Sequence, residues 1–227
     1  MSDEPREHEK TRVRISSRLT PHSFADIIFG LAISISALVL TQSKVQVWQD
    51  FAWNVVLFGF SFVIIAITWL LFSRIMSAIP SEVPSVLFLN LVLLFCVALE
   101  PYLFYMLMNG AAQNLLGFTS VGYALDVGFM FAVLATLASF VLKQERVARE
   151  DGRPRLHPNL LATFKHMMIQ EYIVAALFLV SAVPVFWIPT PVGHLRFVLW
   201  YSSFVIPLIA HGVTHWKSAR PEGGPLA

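Results

Sequence analysis

With 56% of its 227 residues hydrophobic and only 13% charged, the chain is too apolar for a soluble globular protein, in which about a quarter of residues are charged. The mean hydropathy of +0.67 points the same way, to an integral membrane protein. The formal net charge of +2 says little by itself, and the single cysteine, Cys96, excludes an intrachain disulfide.

In chain order, residues 1–17 are polar and charged and read as a cytosolic tail without the pattern of a cleaved leader. The membrane domain is expected over 18–216, as six spans near 22–42, 51–73, 86–109, 121–142, 168–187 and 195–215. The first span opens with Thr20 as a candidate N-cap and Pro21 at the first helical position. The second runs free of charge from Phe51 to Ser73, with Trp48 and Trp53 near one interface. Glu100-Pro101 interrupts the third span, where a proline should kink the helix or free a carbonyl. A polar segment, 143–166, separates the fourth and fifth spans, Pro184 and Pro189 close the fifth, and 217–227 form a polar cytosolic tail. The predicted fold class is all-α, a polytopic membrane protein of six transmembrane helices with no soluble domain.

Charge fixes the orientation. With the N-terminus inside, every one of the 16 Lys and Arg residues except Lys44 and Arg196 falls on the cytosolic side, so both termini are expected there. The composition of the basic 143–166 segment lacks the interleaved aromatics of a single-strand nucleic-acid surface, and no nucleic-acid partner is expected. Phosphate-cradling glycine loops, cysteine clusters and a Ser/His/Asp constellation are absent, so no enzymatic role is read.

The first span carries two distinct stripes. Phe24, Ile28, Leu31, Ile35 and Leu38 follow the helical period as a bulky apolar row, and Asp26, Gly30, Ser34, Ala37 and Thr41 form a small or polar row beside it. Small residues suit close packing on other helices. On pattern alone the bulky row reads first as a packing stripe, such as any membrane bundle shows, and only second as a pore lining.

These residues also resemble a known family. Phe24-Ala25-Asp26, followed by IIFGLAISISALVL, is similar to the Phe-Ser-Asp motif and first helix of the transmembrane protein 175 family of potassium channels. Ser61-Phe62-Val63-Ile64 with Trp69, and Asn90-Leu91 with Pro101, resemble that family's second and third helices. Ala25 stands where the family has serine, Arg18 lies two residues too far from Phe24, and Phe72 and Ser73 occupy the place of a histidine pair. The resemblance implies a homotetramer in a prokaryotic plasma membrane, with potassium as the permeant ion and no cofactor. It implies further that Leu31, Ile35 and Leu38 form the pore constriction, with Ser34 as the polar group next to it. A ring of branched side chains can close such a pore by dewetting.

The remaining polar residues have competing readings. Asp26 suits a helix-start or intersubunit salt bridge with Arg18 or another arginine, or direct contact with ions. Glu100 reads as a vestibule cation attractor or an outer-interface residue, and Asp126 as a cap of the fourth span. His211 and His215, at i and i+4, have metal-ligand spacing, and His166 and Glu171 are expected at their level; no metal is assigned, because histidines at a helix end usually sit at the headgroups. The alternative function is a proton- or cation-coupled secondary transporter working through Glu100, Asp126 or Glu171.

Overall fold

The computed structural model describes residues 21–42, 46–79, 83–110, 116–183, 185 and 195–203. Five helices cover most of them: α1 (Pro21–Gln42), α2 (Trp48–Ala78), α3 (Pro84–Gly110), α4 (Leu116–Glu150) and α5 (Pro158–Ser181). Residues 195–203 are also helical, and no strand occurs among the described residues. All five named helices are long and apolar enough to cross a membrane, so this is a multi-pass membrane protein. The two terminal tails, Arg18, and most of the expected sixth span with His211 and His215 lie outside the described residues.

Local chemistry sets the helix ends. Prolines open α1, α3 and α5, where a missing N–H has no consequence. Asp50 Oδ2 accepts the backbone N–H groups of Gln46 (3.1 Å) and Val47 (3.2 Å) at the start of α2. His157 caps α5, its Nδ1 accepting the Asn159 N–H at 3.4 Å. α4 ends through Gly152, whose φ of 70° is the left-handed value that glycine adopts without steric cost. The Arg153 N–H then reaches back to the Ala148 carbonyl at 2.8 Å, closing the helix end.

The polar segment expected over 143–166 is mostly helix. α4 continues to Glu150 and α5 begins at Pro158, ten residues before the expected span, leaving a short turn between them. The apolar run marks only the part inside the bilayer. At about 1.5 Å per residue the 35 residues of α4 reach well past a hydrocarbon core of about 30 Å. The buried Glu145 carboxylate organises the turn: Oε1 accepts Arg149 Nε at 2.9 Å, and Oε2 accepts the N–H groups of Arg155 and Leu156, each at 3.1 Å. α5 also stops at Ser181, ahead of Pro184.

α4 is the central strut, packing on α5, α3 and α2, while α1 rests on α3 and α2 at one side. Gly128 of α4 lets Leu179 and the Ala175 carbonyl of α5 approach closely; a Cβ there would meet Leu179 at 2.9 Å. Trp200 of the 195–203 segment is buried against Phe178 (5.7 Å), Tyr123 (5.5 Å) and Phe60 (6.3 Å), and its Nε1 donates to Ser181 Oγ at 2.8 Å. That segment therefore docks on α2, α4 and α5. α3 runs unbroken through Pro101 from Pro84 to Gly110.

Candidate functional site

α1 has three faces. At 3.6 residues per turn, Ala25, Phe29, Ala32, Ser36 and Val39 share one side, and all five are buried in the subunit. The bulky row and the small row lie on the two other sides, centred about 100° and about 140° from the buried face in opposite directions. Both rows are left largely uncovered. Leu31 is 54% exposed, Ile35 40% and Leu38 58%, with Phe24 also exposed and Ile28 partly covered. Asp26, Gly30, Ser34, Ala37 and Thr41 are exposed as well, and a Cβ added at Gly30 would meet nothing within 4 Å.

The small row was expected to be the packing face, and within the subunit it is not. Phe29, its ring tilted against that of Phe72 at 5.8 Å, and the adjacent Ala25, Ala32 and Val39 take that role. Helix crossing here needs one large side chain set between small ones, so a row of small residues has no monopoly on contact. The hydroxyls of the small row are satisfied locally: Ser34 Oγ donates to the Gly30 carbonyl (2.8 Å) and Thr41 Oγ1 to that of Leu38 (2.7 Å).

Asp26 and Ser36 each tie α1 to the bundle through a polar contact. Near its start, Asp26 Oδ1 accepts Trp69 Nε1 at 2.9 Å, so two residues of the resemblance meet across α1 and α2. Asp26, six residues into α1 when Pro21 is counted, therefore has an indole partner rather than a cap role among the described residues.

The second link is buried. Glu100 is fully enclosed at 0% exposure, away from any vestibule or outer interface of the subunit. Its Oε1 accepts Ser61 Oγ at 2.6 Å and the Tyr123 hydroxyl at 3.0 Å, and its Oε2 accepts Ser36 Oγ at 3.4 Å. One carboxyl group thus gathers α1, α2 and α4 around α3. The ion pairs among the described residues, Arg146–Glu150 and Arg149–Glu145, both lie at the far end of α4, so hydroxyls rather than cations serve Glu100. Isolated hydroxyls inside apolar spans were the sequence signal for this cluster; Ser36 and Tyr123 went unread because neither belongs to a motif.

The other singled-out residues are dispersed. Asp126 lies ten residues beyond Leu116 and is buried, with Oδ2 unpartnered, so it cannot cap α4; that helix begins earlier than the apolar run suggested. Glu171 of α5 is buried with Oε2 unpartnered, whereas His166 is exposed. No group of three His, Cys, Asp or Glu side chains is gathered among the described residues. Asn90 is buried in α3 with Oδ1 unpartnered, and Pro101 is buried beside Glu100.

With this geometry in view, the comparison with known families is specific. Residues 21–101 match the family model of the endosomal/lysosomal potassium channel TMEM175. Over α1, α2 and most of α3 the chain is therefore similar to the TMEM175 family. The match includes both links of α1, namely Asp26 with Trp69 and Ser36 with Ser61 and Glu100, and ends before Tyr123. The TMEM175 family is an ion-channel family and not an enzyme class, and the match supports potassium transport across a membrane. No curated protein and no solved structure matches the chain.

Proposed function

We propose that the chain is one subunit of a homotetrameric, potassium-selective cation channel whose pore is lined by α1. Leu31, Ile35 and Leu38 form the constriction that gates the pore and selects ions, and Ser34 is the nearest polar group. The observation that carries this reading is the three-way division of α1. One face is locked into the subunit by Phe29, Ser36 and their neighbours, while the bulky and small rows are both left open. A helix lining an axis in a ring of identical copies needs such an arrangement, with one face toward the axis and another toward the neighbouring copy. Three rings, each of four branched side chains, then block the pore by dewetting when it narrows. The basic residues of the α4–α5 connection favour cytosolic termini in a prokaryotic plasma membrane. Potassium is the permeant species and no cofactor takes part.

A second reading, a proton- or cation-coupled carrier, draws on the unpartnered buried oxygens of Asp126 and Glu171. Planar-bilayer recording of the purified chain separates the two. Unitary current steps reversing near the potassium equilibrium potential, unchanged by Glu171→Gln, fit the channel. Ion uptake without unitary steps, abolished by Glu171→Gln or Asp126→Asn, would fit the carrier instead.

A further inference from the structure

The Glu100 cluster lies on the buried face of α1, around the helix from the face that lines the proposed pore. Ser36, its α1 member, is the residue next to Ile35, and it lies about 100° around the helix from it. Phe29 and the small residues of the buried face resist separation of α1 from α3, but smooth apolar contact alone does not fix rotation. A hydrogen bond does, because it has a direction and is lost within a few tenths of an ångström. Among the described residues of α1, Ser36 is the one buried polar side chain. Its partner is itself held: Ser61 and Tyr123 clamp the other carboxyl oxygen from α2 and α4, so Glu100 cannot follow α1 if the helix turns. The exposed Asp26–Trp69 bond, ten residues away along α1, tethers the helix start but leaves a lever of nearly three turns between the two points.

We infer that Glu100 is a positioning residue for the pore helix: held by Ser61 and Tyr123, it fixes the rotation of α1 through Ser36 and so decides which α1 side chains face the pore. This rests on the channel reading above. A burial or packing role alone predicts something different, since replacing a buried polar group and its partners with apolar groups of matching shape is often neutral.

The test uses the full-length chain in liposomes in a Cys96→Ala background, with single Leu31→Cys, Ser34→Cys, Ile35→Cys, Ala37→Cys and Leu38→Cys substitutions. Each is labelled by a charged, water-soluble thiol reagent, and the pattern of rates is compared in Glu100→Met, Glu100→Gln and Ser36→Ala derivatives. With Glu100 intact, the channel reading requires fast labelling at Leu31→Cys, Ile35→Cys and Leu38→Cys. If those positions do not label above a lipid-facing control, Phe95→Cys, the channel reading itself fails, whatever the derivatives do.

Given that baseline, positioning predicts that Glu100→Met lowers labelling at Ile35→Cys by about tenfold and raises it at the small-row positions, as loss of a buried hydrogen bond allows. Ser36→Ala should move the pattern in the same direction. Glu100→Gln keeps an acceptor for Ser61 and Tyr123 and a donor for Ser36, so its pattern should stay close to the parent's. An unchanged pattern in both Glu100→Met and Ser36→Ala would overturn the inference. Where Glu100→Met yields no folded protein, Ser36→Ala decides alone, because it deletes one oxygen and leaves the carboxyl clamped.

Discussion

α1 and α4 are equally apolar over their most hydrophobic windows, yet 28% of that window is buried in α1 and 61% in α4. Hydropathy therefore identifies a span without saying what surrounds it, because lipid and protein interior are alike to an apolar side chain. What separates the two helices is the arrangement of small residues and hydroxyls. α4 has Gly128 at its contact with α5 and sends Tyr123 to Glu100, so it is enclosed on several sides. α1 spends one narrow face on the subunit and keeps the other two free for contacts that a single chain does not supply. The same composition serves as a strut in one place and, in the channel proposed above, as an interface in the other.

This contrast can be tested most severely at its aromatic positions. Phe131→Ala, in the fully buried part of α4 against Phe178, should destabilise the fold by about 3–5 kcal/mol through the cavity it leaves. Leu31→Ala on α1 should leave subunit stability nearly unchanged. Unfolding of the two variants in mixed detergent and denaturant compares them directly, and equal losses would mean that α1 is as enclosed as α4.

The glycines sharpen the comparison at smaller magnitude. Gly128→Ala presses a Cβ to 2.9 Å from Leu179 and should cost about 1–3 kcal/mol of subunit stability. Gly30→Leu meets nothing inside the subunit, so its effect should fall on assembly. Light scattering of the purified variant is expected to show smaller oligomers with unchanged helical circular dichroism. Intact tetramers in Gly30→Leu would remove the small row from the interface between copies.

Single hydroxyls and indoles give the smallest effects. Tyr123→Phe removes one donor from a buried carboxyl group and should lower stability by about 1–2 kcal/mol. Trp69→Phe, which removes the α2 donor to Asp26 near the start of α1, should cost about 0.5–1.5 kcal/mol. If Trp69→Phe proves the more damaging, the main anchor of α1 is at its start and not at Glu100.

The sequence was informative where a pattern has a single physical cause. Long uncharged runs can be explained only by a bilayer, and the Phe24-Ala25-Asp26 stretch with Trp69 and Asn90 pointed to the family that residues 21–101 match. Legibility failed where two causes give one pattern. The charged stretch after Leu142 reads as loop, yet helix continues through it, since a helix outside the membrane may be as polar as a loop. Glu100 looked like an interface residue because its partners are serines and a tyrosine scattered over 87 residues of chain, from Ser36 to Tyr123, with no spacing to announce them. Asp126 looked like a cap because the apolar run starts later than the helix.

The central claim, that the open bulky face of α1 is the pore wall, is tested most directly by potassium and sodium flux into liposomes carrying the wild-type chain or Ile35→Asn. The account predicts that potassium flux exceeds sodium flux in the wild type and that the preference relaxes in Ile35→Asn, where an amide breaks the branched apolar ring. A wild type that assembles as a tetramer but passes no potassium, or an Ile35→Asn variant with unaltered selectivity, would contradict it.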